Sequence, residues 1–213
     1  MIPSERTMYA LDHFIRPSYF RRGERGYRLM EKEQNGAGEL VVTVPQTNIC
    51  IQNFDKVEKE TSFFWETEEN KLAQKVDHCL FYYDDRTWTL VLIEMKTSVG
   101  ARTWLQSIKP KIRSSILRMR AFAAVCGIHV DRIEAYTTYA IDKFQPAQTT
   151  TSPIAYRMPI RKRIPQERCR DPYQDEWLRD RAYINLGEEI VITHHRVQMV
   201  KQDDVLTGRI DST

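Results

Sequence analysis

The longest apolar stretch of the chain is split by a single polar turn. Lys75-Val-Asp-His-Cys-Leu-Phe-Tyr-Tyr is followed by Asp84-Asp85-Arg86-Thr87 and then by Trp88-Thr-Leu-Val-Leu-Ile-Glu-Met-Lys96. Strand alternation places Cys79, Phe81, Leu90 and Leu92 on one face and Val76, Leu80, Val91 and Ile93 on the other. With apolar residues on both faces, this β-hairpin belongs in the middle of a sheet with helices packed over it. A helix is predicted next, from Thr103 as N-cap to Gly127 as stop. Leu105, Ile108, Ile112, Ile116, Met119 and Ala123 recur at three-and-four spacing and form its buried stripe. Pro110 should kink this helix or start a second one. Residues 131–139 read as a further strand.

The flanking segments carry weaker patterns. Residues 1–20 mix aromatics with Pro3 and Pro17 and read as an irregular arm or short helix. Residues 21–34 are dense in charge and predicted helical, stopping at Asn35-Gly36-Ala37-Gly38. Residues 39–44 and 48–54 are predicted as short strands separated by Pro45, and the acidic, aromatic stretch 55–74 as part helix. Beyond Gln145 the pattern fades into a Thr- and Pro-rich loop and a basic, proline-interrupted stretch over 157–170. Residues 189–200 form a last predicted strand before a fraying tail. The division is an N-terminal arm (1–20), a core (21–144) and a basic, irregular C-terminal extension (145–213).

Composition narrows the classes. Of 213 residues, 41% are hydrophobic, enough for a globular core, while 29% are charged. The net charge is only +3, so a polyanionic partner would have to be met by local clusters. No run approaches the roughly 20 apolar residues that span a bilayer. The first residues lack a secretory hydrophobic region. A cytoplasmic protein with no membrane partner is expected. Cys50, Cys79, Cys126 and Cys169 are scattered without a Cys-x-x-Cys pair, which favours reduced thiols over disulfides or a zinc site. No glycine-rich phosphate loop with Lys-Ser/Thr is present.

The chemistry sits at the open end of the hairpin. A turn centred between Asp85 and Arg86 sets Asp77 opposite Glu94, and Lys96, two residues on, shares their face. Two carboxylates so placed repel unless a cation lies between them. The same register sets Lys75 opposite Lys96, which requires the strands to splay there or phosphate to lie nearby. Acid-x-Lys alone is a weak signal, because Glu69-Asn70-Lys71 matches it too. Only the copy at Glu94 follows a continuous apolar strand with an acid opposite. His78 falls on the other face, and the adjacent His194 and His195 point opposite ways along a strand, so neither set is a favoured metal site.

Asp77 together with Ile93-Glu94-Met95-Lys96, set in the predicted order of elements over residues 20–140, resembles the PD-(D/E)XK nuclease superfamily. Val76 stands in place of the nominal proline. The resemblance implies an α/β fold with a central mixed β-sheet flanked by helices, a restriction-endonuclease-like αβββαβ core. It implies a Mg²⁺-dependent phosphodiesterase, with Mn²⁺ as a substitute ion. Asp77, Glu94 and the backbone carbonyl of Met95 would hold the metal, and Lys96 would orient the attacking water or help deprotonate it. Gln106 matches a glutamine used by some branches, and Glu31 and Glu69 both remain open as an upstream acid completing the metal shell.

The partner implied is nucleic acid, DNA before RNA, in defence against foreign nucleic acid or in repair. Arg102, Lys109, Arg113 and Arg120 line one flank of the predicted helix and could track a phosphate backbone. Arg157, Arg161, Lys162, Arg163, Arg168 and Arg170 form a second basic cluster. The competing expectations are solvated charges at strand ends, a non-catalytic nucleic-acid-binding subunit, and a protein-interaction module presenting Phe63, Phe64 and Trp65. Assembly as a homodimer or within a larger nucleic-acid-processing complex fits either of the last two as well as the enzyme.

Overall fold

The computed structural model describes residues 4–33, 36–56, 67–68, 71–84, 86–144, 172–202 and 205–211. Ser4 caps the first helix, α1 (Glu5–His13), its hydroxyl accepting from the Thr7 N–H at 3.1 Å. Ala10 and Leu11 point from α1 into the main core. Strands β1 (Arg21–Arg22), β2 (Gly26–Glu33), β3 (Gly36–Thr43) and β4 (Asn48–Ile51) follow, then a 3₁₀ turn over Phe54–Lys56. The hairpin is β5 (His78–Tyr83) and β6 (Trp88–Met95). Pairs run from Tyr83 opposite Trp88 to His78 opposite Ile93, the register that the polar turn predicts.

After β7 (Ser98–Val99) the chain enters helix α2 (Ala101–Thr103), a π-helical turn (Trp104–Ile108) and helix α3 (Lys109–Cys126). The remaining elements are β8 (Val130–Tyr139), β9 (Ile141–Asp142), α4 (Pro172–Leu178), β10 (Arg181–Asn185), β11 (Glu189–Gln198), β12 (Val200–Gln202) and β13 (Val205–Asp211). A seven-stranded mixed sheet has the order β1-β4-β5-β6-β8-β11-β10, and a four-stranded sheet the order β12-β13-β3-β2. Strands β4, β5 and β6 form an antiparallel meander, β8 runs parallel to β6, and β11 parallel to β8.

Both faces of β5 and β6 are buried, as their apolar residues require, but the covers differ. Cys79, Phe81, Leu90 and Leu92 pack under α1, α3 and α4. Leu80, Val91 and Ile93 pack against Tyr27, Leu29, Leu40 and Val42 of the smaller sheet. Helices were expected over both faces; a second sheet supplies one of the covers. Val76 lies in the helix-side core because β5 begins only at His78 and the alternation does not extend back to it.

Several other expectations change. Residues 21–34 hold strand β2, where Tyr27 and Leu29 face inward between exposed Gly26, Arg28 and Met30, a period of two that the charge density conceals. Within 55–74 the helix expected from composition falls largely on residues outside those described. Where a fraying tail was expected after the last strand, Val200–Gln202 and Val205–Asp211 form strands. Strands β10 and β11 complete the large sheet, and β13 pairs in parallel with β3. The strand at Glu189–Gln198 is therefore followed by two more. The basic cluster from Arg157 to Arg170, Cys169, and Phe63, Phe64 and Trp65 lie outside the described residues. Among the described residues, Cys50, Cys79 and Cys126 are buried, and no helix is long and apolar enough to cross a membrane.

Pro110 lacks an N–H and would crowd the carbonyl of Gln106 in a regular helix. The chain responds with the π turn, in which the Lys109 N–H reaches back to the Trp104 carbonyl. The Gln106 carbonyl accepts instead from Lys71 Nζ at 3.0 Å. The wider turn shifts the helical phase, so Trp104 is fully buried while Leu105, expected in the apolar stripe, is 40% exposed. Thr103 correspondingly lies inside the helical run, whose N-cap is Gly100. The two neighbours should therefore respond oppositely to truncation. Trp104→Ala should cost about 3–5 kcal/mol, whereas Leu105→Ser should stay within about 0.5 kcal/mol of wild type in urea denaturation. Equal costs would contradict the phase shift.

Candidate active site

Asp77 is the last residue before β5, and three contacts fix it. The Val76 N–H donates to Ser115 Oγ at 3.0 Å. The Phe54 N–H donates to the Asp77 carbonyl at 2.7 Å. The Asp77 carboxylate itself accepts from the Met95 N–H, Oδ2 lying 2.6 Å from that nitrogen. A side chain thus takes over where the ladder between the strands stops, and it ties Asp77 to the residue after Glu94.

Glu94 is 1% exposed and Asp77 4%. Lys96 Nζ lies 2.8 Å from Glu94 Oε1. Lys111 of α3 reaches the same oxygen at 2.7 Å and Asp77 Oδ1 at 3.6 Å. Oε1 of Glu94 therefore accepts from two ammonium groups, while its Oε2 is buried without a hydrogen-bond partner. Burial first, and the Asp77 charge second, push the Glu94 carboxyl up to about 7 against the pull of the two lysines.

A third carboxylate approaches from the smaller sheet. Glu31 follows Tyr27 and Leu29 on the inward face of β2, and its Oε2 is also buried and unpartnered. Burial and then the Asp77 charge raise its carboxyl, opposed by Lys56, whose Nζ lies 3.5 Å from Oε1. Glu69, the other candidate for this place, lies outside the described residues. Lys75 does not confront Lys96: its ammonium sits 5.1 Å over the Phe54 ring.

Hard carboxylate oxygens suit Mg²⁺ or Mn²⁺, and the orphaned oxygens of Glu94 and Glu31 could each still accept a cation. Among the described residues no three carboxylate, histidine or cysteine side chains converge into a ready metal cage. Mg²⁺ does not need one, since it commonly takes one or two carboxylates and keeps several waters. The donor set fits such an ion. The Met95 N–H is given to Asp77, and the Met95 side chain is buried between the sheets, where Gly38 leaves it room.

The other expected site residues make contacts of their own. Gln106 is exposed and accepts from Arg102 Nε at 3.1 Å. Lys109 is committed to Glu176 of α4, with Nζ 3.0 Å from each carboxylate oxygen. Arg113 lines a cavity of about 360 Å³ with Lys71, Lys109, Tyr183 and Glu189, and Arg120 is exposed. The residue that sequence reasoning missed is Lys111. Its signal was a polar stripe at helical spacing beside the apolar one. Ser114 bonds the Gln74 carbonyl, Ser115 the Val76 N–H, and Arg118 the Leu72 carbonyl, so one face of α3 holds the segment that delivers Asp77.

His78 and His194 are buried on either side of the sheet. His78 Nδ1 accepts from the Asn53 N–H, and burial lowers its pKa to about 4. His194 packs between Trp104 and Trp177 with Nε2 2.9 Å from Thr137 Oγ1, and burial lowers it to about 3. Both rings are neutral structural elements at neutral pH. The chain matches no protein-family model, no curated protein and no solved structure.

The raised Glu94 carboxyl has a consequence for stability in the absence of metal. Its folded value, about 7, lies above the ordinary 4.5, so the folded state holds a proton that the unfolded state releases. The stability this gives is complete below about 4.5 and is lost as pH rises through about 7. Glu94→Gln, unable to titrate, should therefore gain on wild type between pH ~5 and ~7 and level off above. Urea denaturation of both proteins across that range checks it. A constant difference would mean that Glu94 is ionised throughout.

Proposed function

We propose that this chain is a divalent-metal-dependent nuclease, a phosphodiesterase acting on DNA in preference to RNA. The observation that carries the reading is the meeting of Asp77 and Glu94 at the open end of the β5–β6 hairpin, with Lys96 on Glu94. The order of elements supports it. Helix α1, the antiparallel meander β4–β5–β6, helix α3 and the parallel strand β8 follow the αβββαβ sequence of a restriction-endonuclease-like core, with the β2–β3 hairpin set in before the meander.

Asp77 and Glu94, with Glu31 nearby, would hold Mg²⁺ or Mn²⁺. The ion would supply Lewis acidity toward the scissile phosphate and toward water. The chain's own residues do the rest. The Met95 N–H orients the Asp77 carboxylate before any ligand arrives. Lys96, partly exposed beside Glu94, offers an ammonium to the negative charge that grows on the phosphate in the transition state. Exposed Arg102 and Arg120, and Arg113 at its cavity, provide cations for the phosphate backbone. Defence or repair in a cytoplasm, as a homodimer or within a larger complex, is the setting we assign to such an enzyme.

A second reading keeps the fold and the nucleic-acid contacts but not the chemistry. It is favoured by the two ammonium groups on Glu94, which already compensate the carboxylates. Incubation of purified protein with single- and double-stranded DNA and RNA, in Mg²⁺, Mn²⁺ or EDTA, separates the two. Cleavage should require the metal. Asp77→Asn and Glu94→Gln should each lose about two orders of magnitude or more, since metal stabilisation of the transition state is worth several kcal/mol. Lys96→Ala should also inactivate while retaining Mn²⁺ binding. Full activity in either acid variant would refute the assignment, and salt-sensitive retention without cleavage would select the second reading.

A further inference from the structure

Lys111 places its ammonium against both carboxylates of the site. Its ammonium touches Glu94 Oε1 at 2.7 Å and Asp77 Oδ1 at 3.6 Å, so it bridges the two carboxylates. It arrives from α3, whose Ser114, Ser115 and Arg118 bind the segment ahead of Asp77. It also serves the pair incompletely, because Glu94 Oε2 stays buried and unpartnered. Its side chain is 18% exposed, on a flexible four-carbon stem.

We propose that Lys111 is the resident counter-ion of this site, holding the Asp77–Glu94 pair in the metal-free protein and yielding its place when a divalent cation binds. The inference rests on the nuclease reading and adds a control to it. A divalent ion at Asp77 and Glu94 competes with Lys111 for Glu94 Oε1 and is repelled by the ammonium at that distance. Metal affinity is therefore set partly by what Lys111 gives up. Without metal, the same ammonium offsets the repulsion between the two buried carboxylates. Once displaced, the ammonium is free to meet an anionic substrate.

The test is Mn²⁺ binding by titration calorimetry, without nucleic acid, to wild type and Lys111→Met, with melting curves in EDTA and in Mn²⁺. The wild type should bind Mn²⁺, and Lys111→Met should bind it about tenfold more tightly or better, because one opposing unit charge has gone. The variant should melt below wild type in EDTA, and Mn²⁺ should close that gap. A variant that folds only in Mn²⁺ supports the inference by the same logic, and one that stays unfolded in both overturns it. Equal or weaker Mn²⁺ binding by the variant overturns the inference and leaves the nuclease reading standing. No Mn²⁺ binding by either protein overturns both.

Discussion

Two carboxylates forced together at the buried end of a sheet must be met by positive charge, and that requirement organises this fold. Glu94 is carried inward by one of the most apolar strands in the chain, and the hairpin register fixes Asp77 beside it. Neither position is chosen for comfort. In a medium of low effective dielectric, like charges at such separation cost several kcal/mol, and a carboxylate in that place ionises only with cations at hand. Lys96 comes from the residue just past the strand that carries Glu94, whereas Lys111 has to be delivered by a helix from another layer.

Delivery of Lys111 explains features of α3 that packing alone does not. The helix covers the sheet with Ile108, Ile112, Ile116 and Met119. Beside that stripe, Ser114, Ser115 and Arg118 bond the backbone of 72–76 instead of water. The π turn before Pro110 sets the phase of this arrangement, and Lys71 satisfies the carbonyl that the proline leaves without a partner. On the opposite face the smaller sheet buries Leu80, Val91 and Ile93 and brings Glu31 toward Asp77. The site is thus assembled from a hairpin, a helix and a second sheet. Each part is held by contacts that do not involve a ligand.

How much of this the sequence revealed depended on how local the determining interaction was. The hairpin, its register and the meeting of Asp77, Glu94 and Lys96 were legible, because a short polar turn sets them. Strand β8 and the end of α3 at Gly127 were legible from equally local patterns, whereas the start of the helical run was not, because the π turn before Pro110 shifts its phase. Strand β2 was not: the charge density of residues 21–34 read as helical, although Tyr27 and Leu29 pack as a strand in a sheet that β13, distant in sequence, completes. Strand β11 was legible from its β-branched residues, but β10, β12 and β13 were hidden, since β13 pairs with β3 across a long separation. Lys109 was expected to face a phosphate backbone but is held by Glu176, a partner on a helix that no local pattern announced. Lys111, two residues on, was not singled out, because its partners Asp77 and Glu94 lie on the hairpin, distant in sequence.

The account turns on a cation seat between Asp77 and Glu94 that an ammonium fills when no metal is bound. A crystal structure of the protein with Mn²⁺, with data collected at the manganese absorption edge, tests it most directly. The account predicts a single strong anomalous peak bounded by the Asp77 and Glu94 carboxylates, with Lys111 Nζ withdrawn from Glu94 Oε1. A Lys111 ammonium still on both carboxylates at full Mn²⁺ load, with the peak elsewhere or absent, would contradict it.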